Sequence, residues 1–125
     1  MKDVGNLDAL EEVLAAWQAP SIEGLAATLN GDFVAVGHEE GLFVRADGPT
    51  FLSYAKRTAF HEAARTTVKW CDVHGRLAAA SLTHEMPGIT RTSVVTMLNS
   101  SQGWRVVTAT FAVVDAAHHP IEAEA

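Results

Sequence analysis

The fold is decided by the stretch from Glu62 to Val114, which reads EAARTTVKWCDVHGRLAAASLTHEMPGITRTSVVTMLNSSQGWRVVTATFAVV. It is rich in Val, Thr, Ala and aromatic residues, and turn residues divide it into segments. The segments predict four consecutive antiparallel strands: Arg65 to Asp72, Leu77 to Met86, Arg91 to Asn99 and Trp104 to Val114. The turns are expected at His74-Gly75, Pro87-Gly88 and Ser100 to Gly103. A sheet this long twists strongly and needs cover on one face.

The residues before this stretch predict two helices that provide the cover. Asn6 is the expected N-cap of the first helix. Its apolar residues recur at helical spacing, and they are Leu7, Leu10, Val13, Leu14 and Trp17. Pro20 ends this helix, and Ser21 caps a shorter one that should turn Leu25 and Leu29 inward. We expect the second helix to end near Asn30-Gly31.

A small hairpin and a third helix are predicted next. Asp32 to His38 is too short and too β-branched for a helix, and Gly41 separates it from Leu42 to Arg45. A helix then starts at Gly48-Pro49-Thr50, capped near Pro49 or Thr50, and should end near Phe60. The predicted fold class is α+β, with three N-terminal helices and a small hairpin packed on a strongly curved, mainly antiparallel sheet.

Composition limits the domain count and excludes several classes of partner. A chain of 125 residues with 48% hydrophobic content is long enough for one core, predicted over residues 1–114, and residues 115–125 are expected to form a flexible tail. The net charge of −6 gives nucleic acid or an anionic membrane no electrostatic attraction. With Cys71 as the single cysteine and no apolar run of the roughly 18 residues that a membrane span needs, a cytoplasmic location is expected.

Metal and cofactor motifs are not found in the sequence. His38, His61 and His74 lack the paired Cys or His spacing of a zinc site, and His118 and His119 lie in the expected flexible tail. There is no Gly-rich phosphate loop after a strand and no Gly-x-Ser-x-Gly elbow. We therefore expect neither a metal nor a phosphate-bearing cofactor.

The order of elements resembles that of the NTF2-like (cystatin-like α+β cone) superfamily, most closely its SnoaL-like and lumazine-binding-like branches. The resemblance covers Leu7 to Val114 and rests on three features: Phe33-Val34-Ala35-Val36 after two helices, Phe51-Leu52 opening the third helix, and Gly103-Trp104-Arg105-Val106 entering the last strand. It implies a curved sheet wrapped around the first helix, a pocket between the concave face and the helices, and a homodimer packed sheet to sheet. Because this superfamily hosts isomerases, cyclases, dehydratases and non-catalytic adaptors, the fold does not select an activity.

The last strand independently favours a homodimer. Two residue sets alternate along it, Trp104, Val106, Thr108 and Thr110 against Val107, Ala109, Phe111 and Val113. Both sets are largely apolar, so both faces of the strand need cover. The helices can cover only one face, which predicts a second copy of the chain against the outer face.

His84 is the candidate catalytic residue. Strand alternation places it on the more apolar face of its strand, where an imidazole could exchange a proton near neutral pH. In the lumazine-binding-like branch, the position aligned with Ser93 is often acidic. Here Ser93 carries a neutral hydroxyl, so the carboxylate expected as the proton acceptor is missing. Acid–base chemistry would then fall to His84, or to Asp32 or Asp72 if either turns inward, although both resemble solvated turn residues.

The predicted pocket is apolar with a few polar groups, as small-ligand sites are. Its expected lining is Trp17, Phe33, Phe51, Tyr54, Trp70, His84, Ser93 and Thr108. For each of the aromatic members, packing in the core is the explanation that the sequence favours. The function expected is a homodimeric protein that binds a small apolar or aromatic ligand, or transforms it by proton transfer. The alternative is a non-catalytic interaction module or structural dimer, so the question of enzyme activity stays open.

Overall fold

The structure, a computed structural model, describes residues 5–18, 21–39, 41–57, 65–86 and 89–114. The helices are α1 (Gly5–Gln18), α2 (Ile22–Ala27) and α3 (Gly48–Arg57). The strands are β1 (Leu29–Glu39), β2 (Leu42–Asp47), β3 (Arg65–His74), β4 (Leu77–Met86), β5 (Ile89–Ser100) and β6 (Gly103–Val114). This order of elements confirms the α+β prediction, including the four consecutive long strands.

All six strands form one curved sheet in the order β2-β1-β6-β5-β4-β3. Neighbouring strands are antiparallel except β1 and β6, which run parallel. The β1–β2 hairpin therefore extends the sheet beyond β6 instead of lying on its face. As a result β6 lies inside the sheet, where both of its edges are hydrogen-bonded.

Helix α1 packs on the inner face of the sheet, against β6 and β3. Four of its apolar residues are buried, Leu10, Val13, Leu14 and Trp17, whereas Leu7 is exposed. The helix begins at Gly5, so Asn6 lies within its first turn and not at its cap. The amphipathic pattern thus identified the buried stripe correctly except at its first turn.

Side-chain caps explain where the two shorter helices begin. The Ser21 hydroxyl oxygen accepts a hydrogen bond from the Gly24 N–H at 3.1 Å, which confirms Ser21 as the cap of α2. This helix ends at Ala27, earlier than expected, and Leu29 already belongs to β1. The cap of α3 is Asp47 and not Pro49 or Thr50, because its Oδ1 accepts the Thr50 N–H at 3.0 Å.

Three predicted features lie outside the described residues. They are the end of the third helix near Phe60, the turn at Pro87-Gly88 and the tail 115–125. The other two predicted turns are present, and Gly75 and Gly103 adopt the positive φ angles of 62° and 91° that tight connections require. No helix in the described ranges is long and apolar enough to cross a bilayer.

Two β-bulges change which side chains face the core. In β3 the register shifts between Val68 and Trp70, and in β6 Val106 pairs with Met97 while Thr108 pairs with Thr96, so that Val107 is the extra residue. An extra residue moves every later side chain to the other face. The inward set of β6 is therefore Trp104, Val106, Ala109 and Phe111, and the simple alternation predicted for this strand is wrong.

Candidate functional site

A small cavity of about 20 Å³ lies between α1, α3 and the inner face of the sheet. That volume is about the size of one water molecule. The residues around it are Trp17, Phe51, Tyr54, Ala55, His84, Arg91, Ser93, Ala109 and Phe111. The cavity thus has a largely aromatic and aliphatic wall into which four polar side chains are set.

His84 lies on β4 with only 3% of its surface exposed. Its Nδ1 is 2.7 Å from the Thr66 Oγ1 on the neighbouring strand β3. Burial, and secondly the positive charge of Arg91, lower the pKa of His84 to about 4. The imidazole is therefore neutral at pH 7, where it can donate or accept a hydrogen bond but cannot serve as a charged acid.

Arg91 is a buried cation directly across from His84 in the β4–β5 register. Its guanidinium donates a hydrogen bond to the Tyr54 hydroxyl. The guanidinium carbon also lies 5.2 Å from the Tyr54 ring centroid and 5.6 Å from that of Phe111, within cation–π range. Sequence reasoning missed Arg91, although its position two residues before the inward Ser93 was an available signal.

Aromatic rings form the wall on the helical side of the cavity. The Trp17 and Phe51 rings stack at 5.6 Å, and the Phe33 ring is tilted against Phe51 at 5.2 Å. Phe33 is buried behind this wall in the core and does not line the cavity. The Tyr54 and Phe111 rings stack at 6.5 Å with an interplanar angle of 24°.

An open groove of about 480 Å³ lies next to the cavity, between β2 and α3. Its residues are Val44, Arg45, Ala46, Pro49, Thr50, Phe51, Ser53, Tyr54 and Phe111. Phe51, Tyr54 and Phe111 line both the groove and the cavity. These three aromatic side chains therefore separate the buried polar groups from the groove.

The structure brings five of the predicted lining residues around one cavity: Trp17, Phe51, Tyr54, His84 and Ser93. Trp70 and Thr108 do not join them, and both exceptions follow from the β-bulges. Trp70 lies opposite Ser81 with 49% of its surface exposed, and Thr108 hydrogen-bonds to Thr96 at 2.5 Å on the outer face of the sheet.

The candidate carboxylates do not face the cavity either. Asp32 is exposed, and its N–H is bonded to the Asn30 side chain in a turn-like contact. Asp72 is also exposed, and its Oδ2 lies 3.3 Å from the Nε2 of His74. In the part of the chain that the structure describes, no carboxylate lines the cavity and no group of three metal-ligating side chains occurs.

A curved sheet with helices on its concave face and a small polar-lined cavity between them defines an NTF2-like α+β cone protein. The sequence model of the family described as "Putative lumazine-binding" matches residues 7–112. The chain belongs to this family, and the NTF2-like resemblance seen in the sequence is confirmed.

Solved structures with the same fold share little sequence with this chain. An NTF2-like protein of unknown function from Silicibacter pomeroyi is 18% identical with a TM-score of 0.77, over 91% of this chain and 100% of that one. Another from Shewanella baltica is 14% identical with a TM-score of 0.78, over 93% and 99% of the chains. A domain with a cystatin-like fold from Nostoc punctiforme is 13% identical with a TM-score of 0.63, over 89% and 78%. No curated protein matches the sequence significantly.

Proposed function

We propose that this protein binds a small, mainly apolar or aromatic molecule at the cavity and the adjoining groove. The observation that carries the proposal is the cluster of Arg91, His84 and Ser93, three buried polar side chains set in an aromatic wall. Burying such groups costs free energy that an apolar core would avoid. A few convergent polar groups in an apolar setting are typical of small-molecule sites.

Binding is favoured over catalysis by the protonation state of His84. With a pKa of about 4, its imidazole is neutral at pH 7 and a weak base. The described lining residues offer no carboxylate that could share the proton. His84 remains the candidate for proton transfer, but hydrogen bonding to the ligand is the role that its environment supports best.

Thermal unfolding with a compound library tests the proposal. The library contains lumazine, other flavin-like and aromatic compounds, steroid-like compounds and polyketide-like compounds. A ligand at about a hundred times its Kd stabilises the fold by about 2.7 kcal/mol, which raises Tm by a few degrees. His84→Ala and Ser93→Ala should weaken this shift, and His74→Ala is the matched control because His74 is exposed far from the cavity. A library that leaves Tm unchanged would refute ligand binding at this site.

A homodimer formed through the outer face of the sheet is the second part of the proposal. The outward residues of β5 are uncharged, Thr90, Thr92, Val94, Thr96 and Leu98. At one end of this face Leu77 and Leu98 pair across strands with 55% and 43% of their surfaces exposed. A strand with no outward charge, next to exposed apolar side chains, is suited to contact with a second copy of the chain.

The alternative function is a non-catalytic interaction module or structural dimer on the same fold. The outer face supports it as well as it supports a ligand-binding dimer. A purely structural dimer would have the same dimeric mass as a ligand-binding dimer. It would differ in thermal unfolding, where no compound in the library would change its Tm. A cytoplasmic location remains a prediction from the composition.

A further inference from the structure

We propose that the groove and the cavity are two compartments of one ligand site, partitioned by Tyr54 and Phe111, and that the ligand is a planar aromatic molecule whose anionic group binds Arg91. This inference rests on the proposed function and adds the class of ligand and the residue that selects it.

The volumes indicate that the body of a ligand must lie in the groove and not in the cavity. The cavity, at about 20 Å³, holds little more than a water molecule, whereas the groove, at about 480 Å³, has the size of a small-molecule site. The groove is bounded by Phe51, Tyr54 and Phe111, whose rings offer flat apolar surfaces to a planar ligand. A ligand in the groove reaches the polar groups of the cavity only past these same rings.

The ring contacts identify the partition. Tyr54 and Phe111 stack on one another, and the Arg91 guanidinium lies against both rings on the cavity side. Tyr54 belongs to α3 and Phe111 to β6, so a small displacement of the helix from the sheet separates the pair. Separation opens a path from the groove to the guanidinium without disturbing the strand pairing that holds Arg91 beside His84.

The charge around the two compartments favours an anion. The chain as a whole carries −6, yet the charged side chain in the described cavity lining is that of Arg91, and no carboxylate is among the described residues that line the cavity or the groove. A guanidinium presents a planar fork of donors that matches a carboxylate or a sulfonate. An aromatic ligand that carries such a group can stack on the rings of the groove and pair with the Arg91 guanidinium.

A matched pair of probes tests the inference, namely 2-naphthoate and its neutral analogue 2-naphthamide. Titration calorimetry should show the carboxylate binding about tenfold more tightly than the amide, as expected for a hydrogen bond to a charged group. Arg91→Met should abolish this preference. Arg65→Met is the control, since Arg65 is an exposed arginine at the start of β3, and it should retain the preference.

A measurement on the unaltered protein covers the case in which Arg91→Met does not fold. In NMR spectra, 2-naphthoate should shift the His84 ring resonances and the Arg91 Nε resonance, and 2-naphthamide should shift them less.

Equal affinity for the two probes would overturn the anionic ligand while leaving ligand binding intact. Shifts confined to residues of the outer face would overturn the two-compartment site. If other library compounds stabilise the protein and neither naphthalene binds, the ligand class is wrong, whereas an unresponsive library refutes the proposed function itself.

Discussion

At the residue scale, burial sets the chemistry of His84. The folded pKa is about 4, while the unfolded chain has the ordinary value of about 6.5. Because the folded pKa is the lower one, stability is complete above pH 6.5 and is lost as pH falls toward 4. The unfolded state binds a proton in this window that the folded state does not.

We predict that this linkage removes about 3 kcal/mol of the free energy of unfolding between pH 6.5 and 4. Urea unfolding of the wild type and of His84→Gln at several pH values measures it. Carboxylates titrate in both proteins, so only the difference between them reports on His84. That difference should decrease as pH falls, and a difference that is constant with pH contradicts the prediction.

Gly37 on β1 leaves the room that Phe111 needs. A Cβ at Gly37 would lie 2.5 Å from the Phe111 carbonyl oxygen and 2.6 Å from its ring, closer than atoms can approach. We expect Gly37→Ala to cost about 1–3 kcal/mol, the usual range for overpacking. Gly31→Ala on the same strand meets nothing within 4 Å and should change stability by no more than about 0.5 kcal/mol. Similar effects of the two substitutions in chemical denaturation would contradict this account.

At the element scale, Thr28 links two helices to the sheet through hydrogen bonds. Its hydroxyl accepts a hydrogen bond from the Trp17 indole N–H on α1 at 2.9 Å and donates one to the Leu25 carbonyl on α2 at 2.7 Å. Its own carbonyl accepts the Val106 N–H of β6 at 2.7 Å. One buried threonine between α2 and β1 therefore fixes the place where α1 and α2 meet the inner sheet face.

Thr28→Val should leave the Trp17 indole N–H without this acceptor in a buried position. We expect a loss of about 1–3 kcal/mol in the free energy of unfolding, the cost of an unsatisfied buried donor. Thr67→Val is the control because Thr67 is exposed on β3, where the same change removes no buried hydrogen bond. Unfolding curves in which Thr28→Val is as stable as Thr67→Val would exclude this role.

At the scale of the whole molecule, the two faces of the sheet differ in what covers them. The inner face carries the helices and the cavity, and on the outer face the central strand β5 presents only uncharged threonine, valine and leucine side chains. If this outer face joins two copies, a charge at its centre must be desolvated on association. The proposed dimer is therefore sensitive to one substitution on β5.

Val94→Lys should convert a dimer of twice 13.4 kDa into a monomer at micromolar concentration. Light scattering measures the mass directly. Leu7→Lys is the matched control because Leu7 is exposed on α1, away from the sheet, and its variant should remain dimeric. A wild-type mass of one chain removes the dimer proposal, and a dimeric Val94→Lys variant moves the interface elsewhere.

Much of the fold was predictable because its signals are local. Helical spacing identified the buried residues of α1, and the period of two along β4 and β5 correctly turned His84 and Ser93 inward. The failures at Trp70 and Thr108 have a common cause. A β-bulge is a property of two paired strands, so it leaves no mark in the alternation of either strand read alone.

The order of elements, the α+β class and the inward faces of the regular strands follow from the amino-acid sequence, because period and turn chemistry act between residues close in the chain. The pairing of the hairpin with β6 and the position of Arg91 against Tyr54 and Phe111 are seen in the folded chain but not in the sequence. These contacts join residues far apart in the chain, and their geometry depends on strand register, bulges and the position of α3. The chemistry of the candidate site therefore depends on long-range packing.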